Sequence, residues 1–241
     1  MTEFPPYGFR ALDGAPTYPA RPVNGGYLTD EIVENLAGGV LWRAKLDGDR
    51  VLVDIDEKVA LNRHLKPYTK GKDIPWDGLR KFYDTIAGDN FHAIYQDPRW
   101  GDIEWCNKHD TMKGYAVILD VPMRRCPFLE FVERIDSAYK LNHFGGSYSH
   151  ITHAIHENVG VLPWWGDGTL SAGYKRTRER SQTMRKWEEL KIEAKYEMDR
   201  TGETTPFIEG LVSVQANSAY PSQLRSPTEK TGDWIKYRFS K

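Results

Sequence analysis

The segment from Lys45 to Arg50 combines residue types that can do covalent chemistry at short spacing. It reads Lys-Leu-Asp-Gly-Asp-Arg, so an amine nucleophile lies two positions before a carboxylate and a turn glycine, with an arginine beyond. A lysine amine is a poor nucleophile near neutral pH, because its unperturbed pKa is about 10.4. A covalent role requires nearby cations or desolvation to favour the free amine.

Other parts of the chain offer suitable cations and carboxylates. Lys236 and Arg238 lie on the same face of a predicted strand, since side chains repeat their direction every two residues. Both can bind a phosphate. Glu104 and Glu209 occur in strand-like segments and can orient a magnesium ion or a sugar. Asp102 shares a strand face with Glu104 and competes for that acidic role, in which we favour Glu104.

The elements that must position these side chains follow from hydrophobic periodicity. Two predicted strands, Val40–Trp42 and Val51–Ile55, flank the lysine motif. Further strands are predicted at Phe91–Tyr95, Ile103–Cys106, Gly114–Val121, Phe207–Val214 and Trp234–Phe239, and helices at Leu28–Leu36, Trp76–Ile86, Phe128–Leu141, Ser149–Asn158 and Lys175–Arg200. This irregular interleaving favours an α+β fold with largely antiparallel sheets flanked by helices, and a single domain over residues 1–241.

Bulk properties exclude several classes of protein. The chain has 241 residues, is 39% hydrophobic and has a mean hydropathy of −0.63, which is enough to bury a core. No apolar run approaches the roughly 20 residues of a membrane span, so we expect an intracellular, cytoplasmic protein with no membrane contact. Cys106 and Cys126 form no CxxC pair, which argues against a disulfide scaffold or a cysteine-rich zinc site. The net charge of −1 argues against a protein that is basic all over, while the end from Arg225 is locally basic.

Motifs resembling those of one known superfamily follow the lysine motif in a fixed order. They are Arg63, Glu104, Tyr115, Glu209-Gly210-Leu211-Val212 and Trp234-Ile235-Lys236-Tyr237-Arg238. With the KxDGxR pattern of the first segment, they resemble the covalent nucleotidyltransferases: ATP-dependent DNA ligases, RNA ligases and mRNA capping enzymes. The resemblance covers residues 40–241, and small bacteriophage DNA ligases look most similar.

The resemblance implies a nucleotidyltransferase (adenylation) fold and a role for each matched residue. Lys45 would attack the α-phosphorus of ATP and hold AMP through a phosphoramide bond. Asp47 and Gly48 belong to the same nucleotide-binding motif. Arg50 and Arg63 would contact the ribose and the phosphates or an incoming 5′-phosphate, although Arg63 also fits a surface loop.

The later motifs would complete the nucleotide site. Glu104 and Glu209 would bind sugar hydroxyls and the catalytic Mg²⁺. Tyr115 would stack on the base, or else belong to the core, and Val212 would supply an apolar floor. The Lys236 and Arg238 pair would neutralise the α-phosphate.

Two departures from the family pattern bear on the substrate. Ligases typically carry an acidic residue two positions before the nucleophile, where this chain has Arg43. A donor in place of an acceptor leaves GTP open beside ATP. The family's lysine after the Glu-Gly pair is replaced by Val214, and the sequence ends three residues after Arg238, so we expect no OB-fold domain, whether removed or never present.

The leading hypothesis is therefore an ATP-dependent DNA ligase that acts on nicked or broken duplex DNA. A partner protein, or the basic first half of Lys175–Arg200, would replace the OB-fold clamp, and we expect a monomer. RNA ligase, GTP-using capping guanylyltransferase and non-catalytic nucleic-acid end-binding protein are the alternatives.

Three histidines lie outside this scheme. His150, His153 and His156 are spaced so that a helix would spread them over about 120° of its surface. Zinc ligation competes with a polar surface or a nucleic-acid contact, and we favour the latter, because no cysteine or acidic partner is evident.

Overall fold

The described chain forms two β-sheets in this computed structural model. The structure describes residues 18–19, 21–36, 39–87, 100–122, 126–140, 153–166, 173–220, 226 and 228–239, and only the backbone of residues 153 and 173–181. The described strands, in chain order, are β1 (Pro22–Gly26), β2 (Val40–Leu46), β3 (Asp49–Asp54), β4 (Val59–Asn62), β5 (Trp100–Cys106), β6 (Tyr115–Asp120), β7 (His153–His156), β8 (Val159–Val161), β9 (Ile208–Gln215) and β10 (Thr231–Arg238).

The lysine motif connects the two sheets. A four-stranded sheet has the order β1-β10-β9-β2, and a six-stranded sheet has the order β4-β3-β5-β6-β8-β7. Strand β2 ends at Leu46 in the first sheet and β3 begins at Asp49 in the second. The Asp47-Gly48 turn is thus the covalent link between them, and each sheet delivers side chains to the same junction.

Four helices of the described chain cover the sheets: α1 (Asp30–Leu36), α2 (Trp76–Ala87), α3 (Phe128–Tyr139) and α4 (Gly173–Thr201). Helix α4 packs against α1 and β9, whereas α2 packs against α3 and β7. Helix α3 ends where Lys140 adopts a left-handed conformation, with φ of 54°. No helix of the described residues is long and apolar enough to cross a membrane.

Alternation along β2 explains why the lysine faces a cavity. Alternate side chains of a strand point to opposite faces. One set joins the core beneath α1 and α4: Val40, Trp42, Ala44 and Leu46. The other set begins with Leu41 in the core of the six-stranded sheet, continues through buried Arg43 and reaches the partly exposed Lys45.

The predicted α+β class with mostly antiparallel sheets agrees with the structure. Among the eight described strand pairings, only β1 with β10 and β6 with β8 are parallel. The strands around the lysine motif, Ile103–Cys106 and the strands near the carboxyl end are confirmed, with ends shifted by a few residues. The predicted strand Phe91–Tyr95 lies outside the described residues, and the single domain stays a prediction.

The helix predicted over Ser149–Asn158 is wrong in its described part. Residues His153–His156 form β7, which turns at Asn158 and pairs with β8. Asn158 has a φ of 56°, a left-handed conformation that asparagine tolerates and that ends a hairpin strand. The following Val-Gly-Val segment offers a β-branched partner strand, so pairing outweighs local helical spacing.

Candidate active site

An open cavity of about 690 Å³ lies where β2, β3, β5, β9 and β10 meet. Ten of the eleven residues singled out from the sequence line it: Lys45, Asp47, Gly48, Arg50, Arg63, Glu104, Glu209, Val212, Lys236 and Arg238. The sheet junction therefore brings together side chains that are almost 200 positions apart in the chain.

Tyr115 is the residue that the structure leaves out of this cavity. It begins β6 opposite Cys106, and its ring packs against the core beneath α4. Of the two alternatives that the sequence left open for Tyr115, this placement is the core.

The amine of Lys45 meets a carboxylate from the neighbouring strand. Lys45 Nζ donates a short hydrogen bond to Glu209 Oε2 and a second one of 3.3 Å to the Leu46 carbonyl oxygen. Gly210 lies between Lys45 on β2 and Arg238 on β10 in the sheet register, and Arg238 Nε is 3.8 Å from the same Glu209 oxygen. Glu209 is thus shared by the amine and a cation across three adjacent strands.

Gly48 allows Glu104 to approach the turn. Its N–H donates a 3.0 Å hydrogen bond to Glu104 Oε1. A Cβ atom at Gly48 would lie 2.6 Å from Glu104 Cγ and 2.9 Å from the Trp105 carbonyl oxygen, closer than real Cβ contacts. The glycine of the motif is therefore required by this contact, beyond its suitability for a turn.

The structure also distinguishes Glu104 from its competitor Asp102. Glu104 lines the cavity, and burial raises its pKa to about 7, although Lys45, Arg50 and the Gly48 N–H all favour the ionised form. Asp102 is fully buried beneath the cavity and accepts two hydrogen bonds from Arg50, with Tyr220 Oη 2.9 Å away. Of these two carboxylates, Glu104 is the one that lines the cavity.

Arg50 forms strong contacts within the protein. Burial opposes its charge, but the bidentate ion pair with Asp102 outweighs burial and raises the Arg50 pKa. Its guanidinium carbon also lies 5.2 Å from the centre of the Trp234 ring. Arg50 lines the cavity while its charge is balanced from below.

Arg43 is the buried cation at one end of the cavity. Its side chain lies between Trp164 and Trp234, with ring centres 4.6 and 5.2 Å from the guanidinium carbon, and it donates a 2.9 Å hydrogen bond to the Leu119 carbonyl oxygen. Burial lowers its pKa to about 10, although Asp120 opposes this shift. In the described part of the chain, the Leu119 carbonyl oxygen accepts the Arg43 hydrogen bond, and no carboxylate there forms an ion pair with Arg43.

Several other cations lie close together at the rim of the cavity. Burial and the neighbouring Arg238, Lys45 and Arg21 lower the pKa of Lys236. Burial, then Arg63, then Arg50 lower the pKa of Arg21 in the same way. Mutual repulsion of this kind shows that the rim would be stabilised by an anion. Arg21 was not predicted as a site residue, although it lines the cavity.

A second group of contacts holds the Asp47 side of the turn. Lys108 Nζ lies 3.0 Å from Asp47 Oδ1 and 3.0 Å from the Gly48 carbonyl oxygen. The ring of His109 contacts Asp47 Oδ2 at 3.1 Å and Glu203 Oε2 at 2.6 Å. Burial would raise the Asp47 pKa, but the hydrogen bonds from His109 and Lys108 lower it. Lys108, His109 and Glu203 were not predicted as site residues, since no local pattern links them to the motif.

Two of the three histidines considered for zinc lie on a strand and not on a helical face. His150 lies outside the described residues, and His153 and His156 belong to strand β7. His156 Nε2 contacts Tyr139 Oη at 3.1 Å. In the described ranges, no group of three or more histidine, cysteine or acidic residues could hold a metal ion.

Comparison with known proteins gives only distant similarity. No family model matches the chain, and no curated protein matches it. Solved structures with similarity include a Lig E DNA ligase, which is 12% identical with a TM-score of 0.42 over 91% of this chain and 69% of that chain. Two others, Pmar-Lig_Pre and Pmar-Lig_PreS3, are 13% and 14% identical with TM-scores of 0.44, over 93% and 94% of this chain. This chain spans about half the length of those two, covering 47% and 48% of them.

Proposed function

We propose that this protein is an ATP-dependent DNA ligase that seals breaks between a 5′-phosphate and a 3′-hydroxyl through a lysyl-AMP intermediate. The observation that carries the proposal is the position of the Lys45 amine, bonded to Glu209 in an open cavity that also contains Glu104 and a rim of cations. A lysine held only for stability would not need an accessible cavity with cations placed for phosphates.

The first step would form the covalent intermediate. Lys45 Nζ attacks the α-phosphorus of ATP, a phosphorus–nitrogen bond forms, and the bond to the β-phosphate oxygen breaks as pyrophosphate leaves with the electron pair. The ion-paired Lys45 ammonium must lose two protons: one passes to Glu209, which already accepts its hydrogen bond, before the attack, and the second passes to solvent as the phosphoramide forms. Lys236 and Arg238 line the cavity beside the amine and would neutralise charge that develops on the α-phosphate.

The donor set suits magnesium bound with its substrate. Mg²⁺ is commonly held by one or two carboxylates together with phosphate oxygens and water. Glu104 and Glu209 both line the cavity and would supply those carboxylates. The ion, when bound, would neutralise phosphate charge and orient the leaving pyrophosphate.

Sealing would follow in two further transfers. The nucleic acid's 5′-phosphate attacks the lysyl-AMP phosphorus, releases Lys45 and becomes an adenylated end. The 3′-hydroxyl then attacks the 5′-phosphate and expels AMP. The cationic rim with Arg21 and Arg63 supports an anionic substrate on this side of the cavity. Duplex DNA is the proposed substrate, since Glu-Gly-Leu-Val at residues 209–212 resembles the DNA branch.

A labelling experiment tests the first step. Wild-type protein with α-labelled ATP and magnesium should acquire a covalent label that Lys45→Ala abolishes, whereas Lys58→Ala, which removes an exposed lysine paired with Asp77, should leave labelling unchanged. No label from either ATP or GTP would refute the proposal. Nicked DNA, nicked RNA and mixed duplexes then separate DNA ligase from RNA ligase activity.

Arg43 supports a second candidate, a GTP-using capping guanylyltransferase. Its guanidinium lines the cavity and carries only donors, and guanine presents the acceptor O6 where adenine presents the N6 amine donor. Labelling by GTP in preference to ATP, with transfer to a 5′-diphosphate RNA end instead of a nick, would favour this candidate. Labelling by ATP alone would exclude it.

A further inference from the structure

His109 links the lysine motif to a distant part of the chain. Its ring is only 4% exposed and lies between two carboxylates, with Nδ1 2.6 Å from Glu203 Oε2 and Nε2 3.1 Å from Asp47 Oδ2. Glu203 follows helix α4, whereas Asp47 lies in the turn between the two sheets. The imidazole is therefore a bridge between the end of α4 and the nucleophile turn.

The geometry favours a doubly protonated ring. A neutral imidazole has one donor, so one of the two close carboxylates would face a lone pair, whereas an imidazolium donates to both. Burial opposes the charge, but hydrogen bonds to Glu203 and Asp47 raise the His109 pKa. The same contact lowers the pKa of Glu203.

The surrounding charges are few and can be named. Lys108 contacts the other oxygen of Asp47, and Glu197 faces Glu203 and raises its pKa slightly against the effect of the imidazole. On the same loop, Asp110 donates its backbone N–H to Glu203 Oε1 at 3.2 Å, while its side chain is 80% exposed beside Lys113. The two carboxylates in contact with the ring therefore dominate its charge state.

This bridge immobilises the Asp47-Gly48 turn, which directly follows the strand of Lys45. Both Asp47 side-chain oxygens are engaged, by Lys108 and His109, and the Asp47 N–H donates to the Phe207 carbonyl oxygen at 2.8 Å. Phe207 in turn meets the His109 ring edge to face, with centres 5.8 Å apart. Asp47 is thus held through backbone and side chain, two residues after Lys45.

We propose that His109 is a positioning residue for the nucleophile: its imidazolium, held by Glu203, fixes Asp47 and with it the geometry of Lys45 and Gly48 during nucleotidyl transfer. This inference rests on the proposed function, since it concerns the rate at which the lysine adduct forms. His109 itself does not line the cavity and touches no reacting atom.

The pH dependence of one rate ratio tests the proposal. We compare the single-turnover rate of adduct formation in wild type with that in His109→Gln from pH 6 to 9, so that titrations common to both proteins cancel. A raised pKa means that the imidazolium is present at low pH and is lost as pH rises through that pKa. The ratio should be about tenfold at pH 6, the scale of a lost charge-assisted hydrogen bond, and should fall towards one at high pH.

Two further variants keep the test sharp if His109→Gln folds poorly. Glu203→Gln keeps an oxygen acceptor for the ring but removes the charge. The ratio of its rate to that of His109→Gln should therefore fall at a lower pH than the ratio for wild type. Asp110→Asn removes a charge from the same loop without contacting the ring and should match wild type. A loss of rate that is constant across pH, or equal in the Asp110 control, would overturn the proposal.

Nuclear magnetic resonance decides the inference separately from activity. The ¹⁵N shifts of the His109 ring should report two protonated nitrogens at pH 6, and a neutral tautomer there would overturn the bridge. If wild type forms no adduct, the proposed function fails, while the ring's protonation state still shows whether the bridge exists.

Discussion

Replacing Glu104 by glutamine should stabilise the metal-free, nucleotide-free protein at alkaline pH while it abolishes function. The ordinary pKa of a glutamate is 4.5, and burial raises that of Glu104 to about 7. Glutamine retains a carbonyl oxygen for the Gly48 N–H, so the substitution removes a buried charge but keeps its best hydrogen bond. The ionised Glu104 carboxylate therefore lowers the free energy of unfolding of the wild-type protein.

The magnitude follows from the pKa shift. Each pKa unit corresponds to about 1.4 kcal/mol, so the shift corresponds to about 3 kcal/mol at most, and partial exposure of the Glu104 side chain reduces the expected value to about 2 kcal/mol. Between pH 4.5 and 7 the unfolded chain releases this proton while the folded protein keeps it. Wild-type stability relative to the variant therefore falls with rising pH through that window and levels off above it.

Urea unfolding in chelator at pH 5 and pH 8 measures the effect. The free energy of unfolding of Glu104→Gln should exceed that of wild type at pH 8, and the difference should shrink by about 2 kcal/mol at pH 5. Glu188→Gln removes an exposed carboxylate paired with Lys191 and should change stability by less than about 0.5 kcal/mol at either pH. A difference that does not vary with pH, or a variant less stable than wild type at pH 8, would contradict the reasoning.

Three other outcomes are expected. Gly210→Ala should destabilise by about 3 kcal/mol or more in urea, because its Cβ would lie 1.9 Å from the Tyr237 carbonyl oxygen at a φ of 154°, whereas Gly232→Ala has open space and should stay within about 1 kcal/mol. Asp102→Asn should lower the free energy of unfolding by about 3 kcal/mol, since it leaves the Arg50 charge buried without its partner. Chelation with EDTA should stop adduct labelling, and added Mg²⁺ should restore it; labelling that persists in EDTA would refute a role for the metal.

Local sequence patterns predicted the strands and the strand face on which the cations Lys236 and Arg238 lie. Strand β10 is a clear case, since Lys236 and Arg238 share a face by simple alternation and both line the cavity. The motif lysine could also be placed between two strands, because apolar runs flank it on both sides. These features depend on residues a few positions apart, which a sequence displays directly.

What the sequence did not display depends on burial and distant contacts. Asp102 and Glu104 are equivalent in strand periodicity, and only packing beneath the cavity gives one of them Arg50 as a partner. His109 and Glu203 are 94 residues apart, so no spacing rule connects them. The helix expected near His156 failed for a similar reason, since pairing with β8 decides its conformation.

The position of β2 in its sheet has a consequence during synthesis. Among the described strands of the four-stranded sheet, β2 pairs with β9, and the paired residues are 162 to 175 positions apart in the chain. A chain that emerges from the ribosome amino end first displays the Lys45 strand long before Ile208–Gln215 exists. The edge of β2 that pairs with β9 therefore stays unpaired through most of translation, so chaperone binding in this period should concentrate on Val40–Leu46 and end when β9 is released.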